Sequence, residues 1–472
     1  MDIDSLLHQY QITYYKLPNS VKKFIGTIYG NIPLSVRFGE YYNIHKKILF
    51  DFENGSEQYK LDFQYIKTFE TLQFAYDHIP YYQNLFQKYD FKIENFKDLT
   101  DIEKIPFLTK EIIQKELSNL YTDKVDKVSV YHTGGSSASP MKLYTSRSVS
   151  RAKEKIYTNY TFEKIGYNYR DSAISMSARG KADESKQLYW EYQMVDNYLL
   201  VSVNHLKKEY VPLIYNEILK FKPKIFYGFP SAISLFVKTC KNLGITTIDN
   251  IQGVVLTSES ISHEQIDLIK DFFKAPVLSH YGHTERVIAG YRIDKGLYHF
   301  YNSYGLTRVV DDEIIGTSFD NLVMPLINYR TKDYIDGEVE LFEKTDIMRS
   351  AENIQGRIQE FVVTKDKSVI PILSIGAGHF DSYSHVDQTQ FYQDTPGKMV
   401  VRIKTDHPEL VEKERMIQQM QKQVKNTIDF EIEFVANIEN TSRRKRVLCI
   451  QKLDIEHYRK GDRSIQNVDN YE

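Results

Sequence analysis

The run Tyr131-His132-Thr133-Gly134-Gly135-Ser136-Ser137-Ala138-Ser139-Pro140, with Met141 and Lys142 after it, has the composition of a backbone that wraps a polyphosphate. Paired glycines let main-chain N–H groups approach a ligand closely, and clustered hydroxyls add donors. The Gly-Lys-[Ser/Thr] ending of the common nucleotide-hydrolase loop is missing, and with it that machine's lysine and magnesium positions. Some other phosphate chemistry is implied. A plain surface turn has the same composition, because Gly/Ser clusters often only punctuate structure. Further along lie four more segments dense in functional groups: Tyr281-Gly282-His283-Thr284-Glu285, Tyr329-Arg330-Thr331-Lys332-Asp333, Gly356-Arg357-Ile358-Gln359-Glu360, and the basic run Thr441-Ser442-Arg443-Arg444-Lys445-Arg446.

Elements must hold these segments. From about Val128 onward, short β-rich runs alternate with amphipathic helices, the pattern of an α/β domain with parallel strands. Lys224-Ile225-Phe226-Tyr227 reads as a strand, Gly228-Phe229-Pro230 as a turn, and Ser231 as the N-cap of a helix. That helix carries Leu235, Phe236 and Cys240 on one face and stops at Gly244, so Cys240 is expected in the core. Gly253-Val254-Val255-Leu256 is a second strand, and Ser262 with Gln265 makes a capping box for a helix with Ile266, Ile269 and Phe273 on its apolar stripe. A strand from Pro276 to Leu278 leads to the expected loop Ser279 to Glu285. Open α/β sheets bind ligands just past such strand ends.

Around this core the reading is coarser. Residues 1 to about 100 mix aromatic and charged residues at helical spacing, as at Phe63, Ile66, Phe69 and Phe74, and predict a helical opening region. Thr345 to Asn353 reads as a polar, strand-poor connector. After it come strands at Met399 to Ile403 and Phe430 to Phe434, a helix with Leu410, Ile417, Met420 and Val424 on one face, and a last strand at Val447 to Ile450. The expected fold class is α/β, with a large N-terminal domain over residues 1–355 and a small α+β C-terminal domain over 356–472. The tail from Arg459 is polar and expected to fray.

Bulk properties narrow the partners. A chain of 472 residues has room for two or more domains with substantial cores. Its formal net charge of −2 gives no basic field, so nucleic acid is not expected and small molecules are. Cys240 and Cys449 are too few for a disulfide framework or a cysteine zinc site, which fits a reducing compartment, and the cytoplasm is the expected location. The acidic start Met1-Asp2-Ile3-Asp4 leads into no apolar core, and no run of 18 apolar residues occurs, so neither a signal peptide nor a spanning helix is expected. Oligomeric state is not legible.

Taken in order, from His78-Ile79-Pro80-Tyr81-Tyr82 and Ile105-Pro106-Phe107-Leu108-Thr109-Lys110 to the final strand, the segments resemble the adenylate-forming ligases, and within them the phenylacetate-CoA ligase branch with the CapK-type proteins of surface-polysaccharide loci. The resemblance implies an ATP-dependent, AMP-forming enzyme whose small C-terminal domain is mobile. It implies that Thr133, Gly134, Gly135, Ser136 and Ser137 grip the β- and γ-phosphates of ATP. Lys142 either reaches phosphate or is a solvated surface lysine. In Tyr281 to Glu285, the implied roles are Tyr281 stacked on adenine beside Gly282, Thr284 donating to the α-phosphate, and Glu285 as magnesium ligand. His283 would line the acyl pocket or orient the substrate carboxylate, and a structural histidine fits equally.

Ser258 and Glu259 occupy the family's adenine-contacting position, where main-chain contacts are able to dominate. Asp333 would accept from the ribose hydroxyls, and Arg357 would contact ribose or phosphate with its planar fork. Gln359 stands at the hinge position. Lys445 aligns with the catalytic lysine, which would neutralise charge between the attacking carboxylate and the α-phosphate; a solvated basic patch is the plain alternative. Tyr227 to Ser231 matches a segment near the acyl pocket, so Phe229 either faces substrate or serves only the turn. CoA is the default acceptor, with a carrier protein or amino sugar as competitors. Ala138, Lys332, Gln359 and Arg444 depart from the family pattern, and a nucleotide-binding chain without turnover is the alternative they support.

Overall fold

The computed structural model describes residues 3–8, 10, 17–124, 128–132, 141–177, 180, 182–357, 361–375, 386, 388–438, 447–455 and 457–458. The expected phosphate loop 133–140, the hinge position Gln359, the basic run with Arg444 and Lys445, and the tail from Arg459 lie outside the described residues. Two compact units emerge: a larger one holding most of the chain up to Asn353, and a smaller one holding Lys332–Tyr334 and the chain from Ile354.

The β-branched, apolar runs form the parallel centre of a 12-stranded sheet. Its five parallel strands lie side by side as Tyr198–Val201, Ala173–Met176, Ile225–Gly228, Gly253–Thr257 and Val277–Gly282. Every residue of Gly253–Thr257 is buried, as expected of a parallel strand covered on both faces. Alternation sorts the side chains. Met176, Val201, Phe226, Leu256 and Val277 pack with helices Val211–Phe221, Pro230–Asn242 and His263–Phe273, while Ala173, Leu200, Ile225, Val255 and Leu278 pack with Phe162 of helix Arg147–Glu163. This is the expected α/β class. Cys240 is buried in the first of these clusters.

Local signals held where nothing distant competed. Ser262 and Gln265 form the capping box of His263–Phe273, each side chain bonding the other's backbone N–H. Ser231 does not cap. Helix Pro230–Asn242 starts two residues earlier, with Phe229 at the N-cap and Pro230 in the first turn, where its fixed φ and missing N–H suit a helix start. The connector at Thr345 to Asn353 is also corrected: Met348–Arg357 is a strand, paired through Ala351 and Ser350 with Tyr298 and His299. Pairing with a segment fifty residues away supplies what its polar sequence lacks.

Helix Glu57–His78 exists in the opening region, but its buried residues are Gln64, Thr68, Thr71, Leu72 and Ala75, and Ile66 is exposed. Its neighbour Glu40–Asn54 carries His45, and a buried charge cluster ties both helices to the sheet unit. Asp320 accepts from Lys153 Nζ at 3.2 Å, with Lys67 Nζ at 3.5 Å and His45 Nδ1 at 3.9 Å. Lys153 also donates to the carbonyls of Tyr304 at 2.6 Å and Phe319 at 3.1 Å. Burial works to raise the Asp320 carboxyl, and Lys153, His45 and Lys67 overcome it, holding it at about 2. Burial pushes His45 down to about 4, against the pull of Asp320.

The smaller unit has a four-stranded sheet in the order Asp429–Phe434, Lys398–Lys404, Gln388–Gln393, Cys449–Gln451. Helix Lys413–Gln423 buries Met416 and Met420 in the same apolar cluster as Met399, Val401 and Ile403. Leu410 is not on that helix: it belongs to the 3-10 turn Pro408–Leu410 and is exposed. The strand Gln388–Gln393, rich in glutamine and aromatics, had no counterpart in the sequence reading.

Candidate active site

Three adjacent parallel strands, Ile225–Gly228, Gly253–Thr257 and Val277–Gly282, run out at the same edge of the sheet. Their turns at Phe229, Ser258 and His283 are therefore neighbours. The expected loop Ser279 to Glu285 is shorter than read, because His280, Tyr281 and Gly282 continue the strand by antiparallel pairing with Tyr291, Gly290 and Ala289. Only residues 283–286 make the turn, closed by the Arg286 N–H donating to the His283 carbonyl at 3.1 Å.

Within that turn Glu285 is buried. Its Oε1 accepts from the Tyr329 hydroxyl at 3.2 Å, and its Oε2 lies 3.4 Å from His283 Nδ1. Both His283 ring nitrogens are buried without a hydrogen-bond partner among the described residues. The Tyr281 ring meets His283 and Phe300 edge to face, each at 6.1 Å between centroids, which fixes its plane. Thr284 is half-buried and Gly282 is exposed.

Two glycines at this edge differ in why they are glycine. A Cβ on Gly228 would lie 2.1 Å from the Met176 carbonyl oxygen, so strand packing demands glycine there. Among the described residues a Cβ on Gly282 would meet the Ile288 carbonyl oxygen at 3.7 Å and His280 at 3.8 Å, ordinary contacts at a residue without positive φ.

At the middle turn Ser258 is exposed and left-handed, with φ 71°. Glu259 turns its carboxylate to the neighbouring helix start: Oε2 accepts from the Ser231 N–H at 3.0 Å and Oε1 from the Ser231 hydroxyl at 3.1 Å. Glu259 thus supplies the cap that Ser231 does not. Phe229 is buried in the apolar cluster behind the edge, so its ring serves the core. Lys142 is half-buried, with Nζ 4.9 Å from the centroid of the Tyr144 ring.

Tyr329 and Asp333 share the strand Tyr329–Leu341, and Asp333 is buried within the group assigned to the smaller unit. Lys332 is left-handed, with φ 63°. Arg330 bonds the fully buried Glu313 carboxylate through Nε at 2.7 Å, a structural pair. Arg357 ends the strand Met348–Arg357. Sequence reading quoted Tyr329 without seeing that it would hold Glu285, and it passed over Arg286, whose side chain meets Tyr131 and Ser150. Neither contact leaves a signal in spacing.

Among the described residues no group of three or more His, Cys, Asp and Glu side chains is poised for a metal. Magnesium does not need one. It binds through one or two carboxylates while phosphates and waters complete its octahedron, and buried Glu285 fits that donor set.

The architecture is that of the adenylate-forming ligases, and the chain resembles that superfamily over most of its length. Among solved structures, 2-hydroxyisobutyryl-CoA ligase in the postadenylation state, in complex with R3-HIB-AMP, superposes with a TM-score of 0.63 at 14% identity, covering 86% of this chain and 91% of that one. The same ligase with 2-HIB-AMP and CoA in the thioesterification state gives a TM-score of 0.54, 14% identity, and coverage of 88% and 94%. Among curated proteins, Protein CapK of Staphylococcus aureus is 21% identical over 458 residues, covering 93% of this chain and 99% of that protein. No family model matches. No helix among the described residues is long and apolar enough to cross a membrane.

Proposed function

We propose that this chain is an ATP-dependent, AMP-forming ligase that activates a small-molecule carboxylate as an acyl-adenylate and passes the acyl group to an acceptor. The observation that carries the reading is Glu285: a buried carboxylate at the carboxyl edge of parallel strands, with a phenol and an imidazole beside it. Magnesium bound there would neutralise the triphosphate and leave the α-phosphate more electrophilic.

The substrate carboxylate attacks the α-phosphorus; the new O–P bond forms as the bridge to the β-phosphate breaks and pyrophosphate leaves. Thr284 donates to the α-phosphate, Tyr281 stacks on adenine, and main chain at Ser258 and Glu259 reads the adenine edge. Asp333 accepts from the ribose hydroxyls and Arg357 from its side donates to ribose or phosphate. Thr133, Gly134, Gly135, Ser136 and Ser137 hold the β- and γ-phosphates, and Lys445 offsets the charge that builds between the reacting groups. His283, whose ring nitrogens make no hydrogen bond among the described residues and whose Nδ1 lies 3.4 Å from Glu285, orients the incoming carboxylate.

We assign residues 1–355 to the ATP- and acyl-binding domain and 356–472 to a lid that rotates near Gln359 between half-reactions. The default acceptor is CoA. Similarity to CapK supports a place in surface-polysaccharide synthesis; a carrier protein or an amino sugar is the competing acceptor, and the cytoplasm the proposed location. Left-handed Lys332 supports turnover, because it takes a conformation that glycine adopts freely, so this departure keeps a backbone path open to glycine.

The test is pyrophosphate release from MgATP over a panel of carboxylates, with mass spectrometry of the trapped adenylate to name the acid. Release should disappear in Glu285→Ala and Lys445→Ala. No release with any acid at saturating ATP overturns the reading.

A further inference from the structure

Arg286 follows the proposed metal ligand directly, and its side chain leaves the turn for a different element. Its φ of 56° is left-handed, a conformation that costs a residue with a Cβ about 1 kcal/mol and persists only where surroundings impose it. The guanidinium carbon lies 4.5 Å from the centroid of the Tyr131 ring, and Nη1 donates to the Ser150 hydroxyl. Tyr131 sits on the strand Val128–His132, opposite Leu143 of Lys142–Ser146. Ser150 belongs to the helix that follows this hairpin.

The Glu154 carboxylate acts electrostatically on the Arg286 guanidinium. Glu154 in turn accepts from the Tyr304 hydroxyl, which burial and Glu154 keep protonated. Tyr304 offers its carbonyl to Lys153 at 2.6 Å. The Tyr131 contact joins the Glu285 turn directly to the hairpin that leads into Thr133.

We propose that Arg286 is a positioning residue that locks the paired strands 128–132 and 142–146 to the Glu285 turn, so that these elements meet a nucleotide already ordered against each other. The proposal rests on the adenylation reading above. Preforming two parts of a site removes the ordering cost from binding, so loss of the lock appears in nucleotide affinity.

Titration of MgATP into the wild type, Arg286→Met and Arg286→Lys should show affinity reduced about tenfold or more in Arg286→Met, the scale of a buried cation–aromatic contact and one charge-assisted hydrogen bond. Arg286→Lys, which keeps the cation and loses the planar stack, should fall between. Tyr131→Leu should weaken binding in the wild type and add little in Arg286→Met, the non-additivity of a shared contact. In nucleotide-free protein, amide hydrogen exchange of residues 128–132 and 142–146 should quicken in Arg286→Met without a matching fall in unfolding temperature.

If the wild type binds MgATP and Arg286→Met binds it equally well, the lock is overturned and the ligase reading stands. A wild type that binds no MgATP overturns the ligase reading, and with it the nucleotide-positioning role. Quickened exchange spread over the whole larger unit, in step with lost stability and equal in Arg286→Lys, overturns the proposal in favour of general structural support.

Discussion

Two carboxylates, one half-buried and one buried, each beside a histidine, divide the labour of this molecule. Asp320 has His45 at 3.9 Å and Glu285 has His283 at 3.4 Å. Around Asp320 stand two ammonium groups, Lys153 and Lys67, and the remaining protons of Lys153 go to backbone carbonyls. Around Glu285 the named partners are the Tyr329 hydroxyl and His283, and the next residue, Arg286, sends its cation to Tyr131 and Ser150. A buried charge is tolerated when it is matched and hydrogen-bonded. The first cluster is matched within the fold. The second lies in the turn proposed to meet the nucleotide, with a phenol and an imidazole among its contacts.

The sharpest way to break this contrast is to neutralise each carboxylate. Asp320→Asn should cost about 3–5 kcal/mol of stability, because it leaves the Lys153 ammonium buried without its counter-charge. Denaturant unfolding measures it, and a loss below 1 kcal/mol would show the cluster to be ornamental. Glu285→Gln should do the opposite: pyrophosphate release falls by about 100- to 1,000-fold, in the range for removing one electrostatic contact to a transition state, while the unfolding midpoint stays put.

Acid should weaken the first pair as well. His45 titrates at about 4 in the fold against 6.5 when exposed, so the unfolded chain takes up the proton first, and this contribution to stability is complete above pH 6.5 and lost as pH falls toward 4. Its full size is about 3 kcal/mol at 1.36 kcal/mol per pH unit. Asp320, at about 2 against 3.8, adds a second loss as pH falls from 3.8 toward 2. Unfolding temperature followed from pH 7 to pH 4.5 should therefore drop in the wild type and flatten in His45→Gln.

The smallest effect tests the edge of the candidate site. Lys332→Gly should stabilise the protein by about 1 kcal/mol, relieving a left-handed lysine, and should leave pyrophosphate release within about twofold. A destabilised variant would mean that the Lys332 side chain contributes more than its backbone strain costs.

Much of the scaffold was legible because its causes are local. The capping box at Ser262 and Gln265, the apolar runs of the parallel strands and the stripe of Ile266, Ile269 and Phe273 are written within a few residues of where they act. Errors came where a distant partner decided. Ser231 has a capping side chain, yet Glu259 bonds it from 28 residues away and Pro230 starts the helix. The polar segment from Met348 became a strand through Tyr298–Phe300, and Tyr281 stayed in its strand through Gly290.

By itself the sequence determined the α/β class, the order of the motif segments and the placing of Tyr281 to Glu285 at a strand's carboxyl end, because strand and helix periodicity and turn chemistry are short-range. Tertiary structure alone decided that Tyr329 would hold Glu285 across 44 positions, that Arg286 would reach Tyr131, and that Asp320 would gather Lys153, Lys67 and His45. Such contacts depend on how the sheet brings separated segments together and excludes water from them. No spacing along the chain encodes that.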